Sequence, residues 1–126
     1  MIKILIADDH PIVRNSIKQI ISDEAGMEVT CEAENAEKIF QLLEQYNIDL
    51  IVMDFYMPGM NALEILPILG EKYPHIPALV ISALSEELYT LKLMKAGAAG
   101  FINKERAADE LIQAINSIIS KKHSSS

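Results

Sequence analysis

Two hydrophobic periods alternate along the chain. Lys3-Ile4-Leu5-Ile6-Ala7 is a short continuous apolar run, the pattern of a strand buried on both faces. From Pro11 the period becomes helical, with Val13, Ile17, Ile20 and Ile21 on one stripe. Pro11 suits the first turn, where a missing N–H costs little, and Asp9 or His10 is placed to cap it. Met27, Val29, Cys31 and Ala33 alternate with Glu28, Thr30, Glu32 and Glu34, predicting a half-buried edge strand. A second helix is predicted behind the cap Asn35, with Ala36, Ile39, Phe40 and Leu43 inward.

Asp49-Leu50-Ile51-Val52-Met53 is another buried strand, stopping at Asp54, and Met57-Pro58-Gly59 reads as a turn. A third helix near Asn61 to Tyr73 contains Pro67 and Gly70, which predicts a kink or a late start. Ala78-Leu79-Val80-Ile81 is a fourth strand ending at Ser82. Ser85-Glu86-Glu87 opens a fourth helix lined by Leu88, Leu91 and Met94, with Gly97 as its C′ residue. Gly100-Phe101-Ile102-Asn103 is a fifth strand ending at Lys104. The last helix carries Ala108, Leu111, Ile112, Ile115, Ile118 and Ile119. Five strands alternating with five helices predict an α/β domain, a parallel sheet covered on both faces with right-handed crossovers. The domain is expected over residues 1–120, and residues 121–126 form a polar tail or the start of a linker.

Composition narrows the function classes. The 126 residues suffice for one domain, and half are hydrophobic, so a core forms without staples. The single Cys31 excludes a disulfide scaffold and reads as a small hydrophobe. No apolar run approaches a membrane span, and the apolar start meets Asp8-Asp9 too soon for a signal peptide. A cytoplasmic location is expected. Eighteen acidic against eleven basic residues give −7, which disfavours nucleic-acid and anionic-membrane surfaces as direct partners.

The chemistry lies in where polar residues interrupt the apolar strands. Asp8-Asp9, Asp54, Ser82 and Lys104 each follow a buried strand at its carboxyl end, where open parallel sheets bind ligands. Each has an ordinary alternative: a helix cap, a turn, a turn residue, a solvated charge. Together they require the same accident at four strands. Three neighbouring carboxylates raise one another's pKa, and a hard divalent cation relieves the repulsion. Mg²⁺ is therefore expected on Asp8, Asp9 and Asp54, with the carbonyl of Tyr56 as a further candidate ligand. Lys104 and the Ser82 hydroxyl are then placed to contact phosphoryl oxygens, and the implied chemistry is phosphoryl transfer to a carboxylate. His10 is treated as a loop or capping residue, and His75 as solvent-facing.

At these residues the chain resembles the receiver domain of bacterial response regulators, the CheY-like family, over about residues 2 to 120. The resemblance implies strand order 2-1-3-4-5. It implies Asp54 as phosphoacceptor, Asp9 as direct metal ligand with Asp8 acting through water, and Ser82 and Lys104 as phosphoryl-sensing residues. Phe101, which periodicity alone makes a core residue, takes the place of the switch aromatic. Lys104-Glu105 replaces the Lys-Pro of many receivers, so no cis-proline is expected. With Asp9-His10-Pro11 and Ala96–Phe101, this resembles the NarL/FixJ (LuxR-type) group. The implied partners are a sensor histidine kinase, a second copy on phosphorylation, and DNA only through a C-terminal helix-turn-helix domain absent from these residues. The resemblance places Tyr56 and Leu84 at the positions that tune phosphoryl lifetime in the family, and their bulk there implies slow self-hydrolysis. The family acts as a switch and not as a turnover enzyme.

Three other readings fit less well. A flavodoxin-like carrier needs a loop offering N–H groups to phosphate, whereas Asp8-Asp9 suits a cation. An aspartate-nucleophile phosphatase needs an acid two residues after its nucleophile, and here Tyr56 stands there. A pure interaction module has no call for all five polar residues.

Overall fold

A computed structural model describes residues 1–83 and 86–124, with the backbone alone at residues 86–88, 123 and 124. Its elements are β1 (Ile2–Ala7), α1 (Pro11–Ser22), β2 (Met27–Ala33), α2 (Ala36–Gln45), β3 (Leu50–Asp54), β4 (Tyr56–Met57), β5 (Met60–Asn61), α3 (Ala62–Lys72), β6 (Ala78–Ser82), α4 (Glu86–Ala96), β7 (Gly100–Asn103) and α5 (Ala107–Ser124). The main sheet is parallel, in the order β2-β1-β3-β6-β7. That is the expected order 2-1-3-4-5 with a short antiparallel hairpin, β4-β5, inserted after the third main-sheet strand.

The pleat divides the apolar strand residues between two cores. Leu5, Ala7, Ile51, Met53 and Val80 pack toward α2, α3 and α4. Ile4, Ile6, Leu50, Val52 and Ile81 pack toward α1 and α5. Both faces are covered, as continuous apolar strands require. The Asn35 side chain caps α2 by accepting from the Lys38 amide at 2.8 Å. His10 takes the N-cap position of α1, but its side chain makes no capping bond.

Four expectations need correction. Of the two outcomes expected for the third helix, the late start does not occur: the helix begins at Ala62 and includes Pro67. Asn61 and Glu64 form a reciprocal capping box, and Ala62, Ile65, Leu66 and Leu69 are buried, which offsets the bond lost at the proline. In α4, Leu91 and Met94 are exposed at 64% and 46%, while Leu93 is buried with Tyr89 and Ala96 half-buried beside it. Two stripes at helical spacing competed, and packing against α3 and β7 chose the other. Leu88 lies on a residue whose side chain is not described. On β2, Met27 and Val29 face one core and Cys31 and Ala33 the other, because the register with β1 slips between them. Finally, α5 continues through Ser124, so Lys121 and Lys122 belong to its last turns rather than to a loose tail. Among the described residues no helix is long and apolar enough to cross a membrane.

Candidate phosphoryl-transfer site

The carboxyl ends of β1, β3, β6 and β7 hold the polar residues. Asp8 follows β1 and is buried, Asp54 closes β3 and is buried, and Ser82 closes β6 and is buried. β3 and β6 are adjacent, and Asp54 pairs with Ile81, so Ser82 is the next residue on the neighbouring strand. Ser82 in turn pairs with Asn103, and Lys104 follows directly in a 3₁₀ turn over Lys104–Arg106. A cation opening a helix faces the wrong end of the dipole. Lys104 instead turns to Asp54, its Nζ donating to Oδ2 at 3.2 Å.

Ligand atoms of Asp8, Asp9, His10 and Asp54 all lie within 4.8 Å of one another. Burial pushes the Asp54 carboxyl above the usual carboxylate range, and the charge of Asp8 pushes it further. The pull of Lys104, its hydrogen bond and the Phe55 amide act in the opposite direction and do not cancel the rise. The His10 amide donates to Asp8 Oδ1 at 2.8 Å. Its ring Nδ1 stands 3.1 Å from Asp8 Oδ1 and 3.0 Å from Asp9 Oδ1. Between two carboxylate oxygens this nitrogen is favourable only when it carries its proton.

His10 is therefore nearer the chemistry than its reading as a plain cap suggested. Its adjacency to the acid pair was the available signal. Arg14 was missed altogether: its Nη1 donates to the Asp8 main-chain oxygen at 2.8 Å. A cation in the opening turn of α1, opposed to the helix dipole, was its sign in the sequence. The β4-β5 hairpin carries Tyr56 past the site, 58% exposed, and turns tightly through Pro58-Gly59 with Gly59 at φ +86°. Phe101 is half-buried and packs against the core on the α3 and α4 side. His75 is exposed, as expected. Leu84 and Ser85 lie outside the described residues.

Apart from the His10 ring nitrogen, the donor set is one of hard carboxylate oxygens with a lysine at its edge. Such a set fits a divalent cation of the Mg²⁺ kind, which needs few protein ligands and keeps several waters.

Comparison with known proteins agrees with this geometry. Residues 4–116 match the family model described as the response regulator receiver domain. The chain is 40% identical over 114 residues to the transcriptional regulatory protein DegU of Brevibacillus brevis, covering 90% of this chain and 48% of that protein. It is 38% identical over 113 residues to the nitrate/nitrite response regulator protein NarL of Escherichia coli, covering 90% and 52%. The chain thus spans about half the length of the curated relatives it matches. Among solved structures, a two-component response regulator of the LuxR family from Aurantimonas superposes with a TM-score of 0.89 at 30% identity, covering 94% of this chain and 85% of that one. The receiver domain of CheB from Thermotoga maritima superposes with a TM-score of 0.87 at 27% identity, covering 95% and 97%. On its sequence, its strand order and its acidic cluster, this chain belongs to the response regulator receiver domain family.

Proposed function

We propose that the domain is a phosphorylation-controlled switch that accepts a phosphoryl group on Asp54 in a Mg²⁺-dependent step. The observation that carries this reading is the buried Asp54 carboxylate, held at 3.2 Å by Lys104 and flanked by Asp8 and Asp9. An Asp54 oxygen attacks phosphorus. The new O–P bond forms as the donor's P–N bond (phosphohistidine) or P–O bond (acyl phosphate) breaks, and the electron pair leaves with the donor. Asp8, Asp9, Asp54 and the Tyr56 carbonyl would hold the cation. Bound there, Mg²⁺ supplies positive charge against which carboxylate and phosphoryl oxygens can approach.

Lys104 and Ser82 contact the phosphoryl oxygens once they arrive. Losing the Lys104–Asp54 pairing to a new Lys104–phosphoryl contact changes the start of α5, and a Ser82 shift changes the packing beside Phe101. These changes bias a two-state equilibrium of the α4-β7-α5 side. The partners are a sensor histidine kinase, a second copy of the domain in the phosphorylated state, and DNA only through an output domain of the type suggested by the relatives' names. Transcription control is the output that this reading assigns.

Intact mass tests the proposal. With Mg²⁺ and a small acyl phosphate, the mass rises by one phosphoryl group, and chelation of the metal stops the rise. An unchanged mass under both conditions contradicts the reading.

A further inference from the structure

The register between β1 and β2 slips once. Ile4 pairs with Val29 but Leu5 pairs with Cys31, so Thr30 is an extra residue on the edge strand. The insertion reverses which side each later side chain takes. It carries a defect, since the Thr30 hydroxyl is buried without a hydrogen-bond partner. What the bulge delivers is Glu32. An unbroken pleat would send position 32 toward α2; instead it lies against α1. There Oε1 stands 3.4 Å from Arg14 Nε and Oε2 stands 3.2 Å from Lys18 Nζ.

Arg14 joins this edge to the acidic cluster. Its Nη1 donates to the main-chain oxygen of Asp8 at 2.8 Å, and the Asp8 amide donates to the Ala33 carbonyl at 3.0 Å. Both main-chain groups of Asp8 are thus held from β2, one directly and one through the Glu32-held guanidinium. We infer that Arg14, oriented by Glu32 across the β2 bulge, is a positioning residue that fixes the Asp8-Asp9 pair for cation binding. The inference rests on reading the cluster as the cation site. A guanidinium near carboxylates also repels a metal, but Glu32 beside it neutralises that charge. The two effects have opposite signs, so a binding measurement separates them.

The experiment is equilibrium titration with Mn²⁺, with the free ion followed by electron paramagnetic resonance. R14M weakens Mn²⁺ binding about tenfold, the low end of the roughly 10–100-fold that outer-shell partners cost. E32A weakens it less, and R14M with E32A weakens it no more than R14M alone, because both act through one contact. N35A, which removes the α2 cap and lowers stability elsewhere, leaves Mn²⁺ affinity unchanged. If R14M does not fold, R14K keeps the charge and makes one of the two contacts, giving a smaller loss. Affinity unchanged or tightened in the folded Arg14 variant, or additive losses in the double variant, overturns the inference. A parent protein that binds Mn²⁺ but takes up no phosphoryl group contradicts only the proposed function. A parent that binds no Mn²⁺ overturns both.

Discussion

The two ends of the main sheet differ in kind. At the amino end, β3 and β6 begin with Leu50, Ile51, Ala78 and Leu79, all buried among aliphatic neighbours. At the carboxyl end of the same sheet sit Asp8, Asp54 and Ser82, which are the buried polar or charged residues among those described. Four positions along one strand separate Leu50 from Asp54. Burying a carboxylate there costs free energy that an apolar side chain would not. A fold assembled only for stability would continue the apolar pattern. The difference teaches that the amino end carries stability while the carboxyl end gathers the polar groups to which the proposed function assigns chemistry, so that mutation should separate the two.

The sharpest break of that comparison uses β3 alone. Leu50→Ala costs about 2–5 kcal/mol of unfolding free energy, as for other aliphatic core truncations, yet its folded fraction still takes up a phosphoryl group. Asp54→Asn loses uptake entirely without a comparable loss of stability. Denaturant melts and intact mass on both variants check this pair. Equal stability losses, or uptake lost in both, would erase the distinction between the ends.

Cation binding gives the next effect. At about a hundredfold excess over its Kd, Mg²⁺ adds about 2.7 kcal/mol to stability, reversed by chelation, and the gain shrinks in D54N. Melting with and without the ion reads it out.

A further effect follows from pH. Burial and Asp8 raise the Asp54 carboxyl in the folded state above its ordinary 3.8, so the folded state holds that proton more tightly than the unfolded chain. The stability this contributes is fully present below 3.8 and is lost as pH rises through the raised value. In metal-free buffer, the parent therefore loses stability relative to D54N across that window, and the gap is constant above it. A parent that gains stability relative to D54N as pH rises contradicts the assigned direction. The smallest effect is structural: Asn61→Ala, which removes the capping box of α3, costs about 1 kcal/mol by thermal melt and leaves uptake unchanged.

Much of this was legible in the sequence because strand ends are marked sharply. Asp54 and Ser82 each break a continuous apolar run, Lys104 follows Asn103 at the end of the fifth main-sheet strand, and Asn35 sits directly before a helical stripe. Their gathering at one rim follows from strand order, which the family resemblance supplied. What escaped has a common cause: local period does not report packing partners. The α4 sequence offers Leu91 and Met94 on one stripe and Tyr89 and Leu93 on another, and only α3 and β7 decide between them. Perfect alternation from Met27 to Ala33 hides the extra residue, because the bulge is defined by the register with β1. Two-residue strands such as β4 and β5 have no period to read. The reach of Arg14 to the Asp8 carbonyl is a contact between α1 and the end of β1 that no local period reports.

The central claim is that Asp54 is the group that accepts phosphorus. Hydride reduction of the phosphodonor-treated protein, followed by peptide mapping, converts an aspartyl phosphate to homoserine at the modified position. The account predicts conversion at Asp54 and nowhere else. Conversion at Asp8 or Asp9, or a phosphoryl group recovered on a histidine, would contradict it.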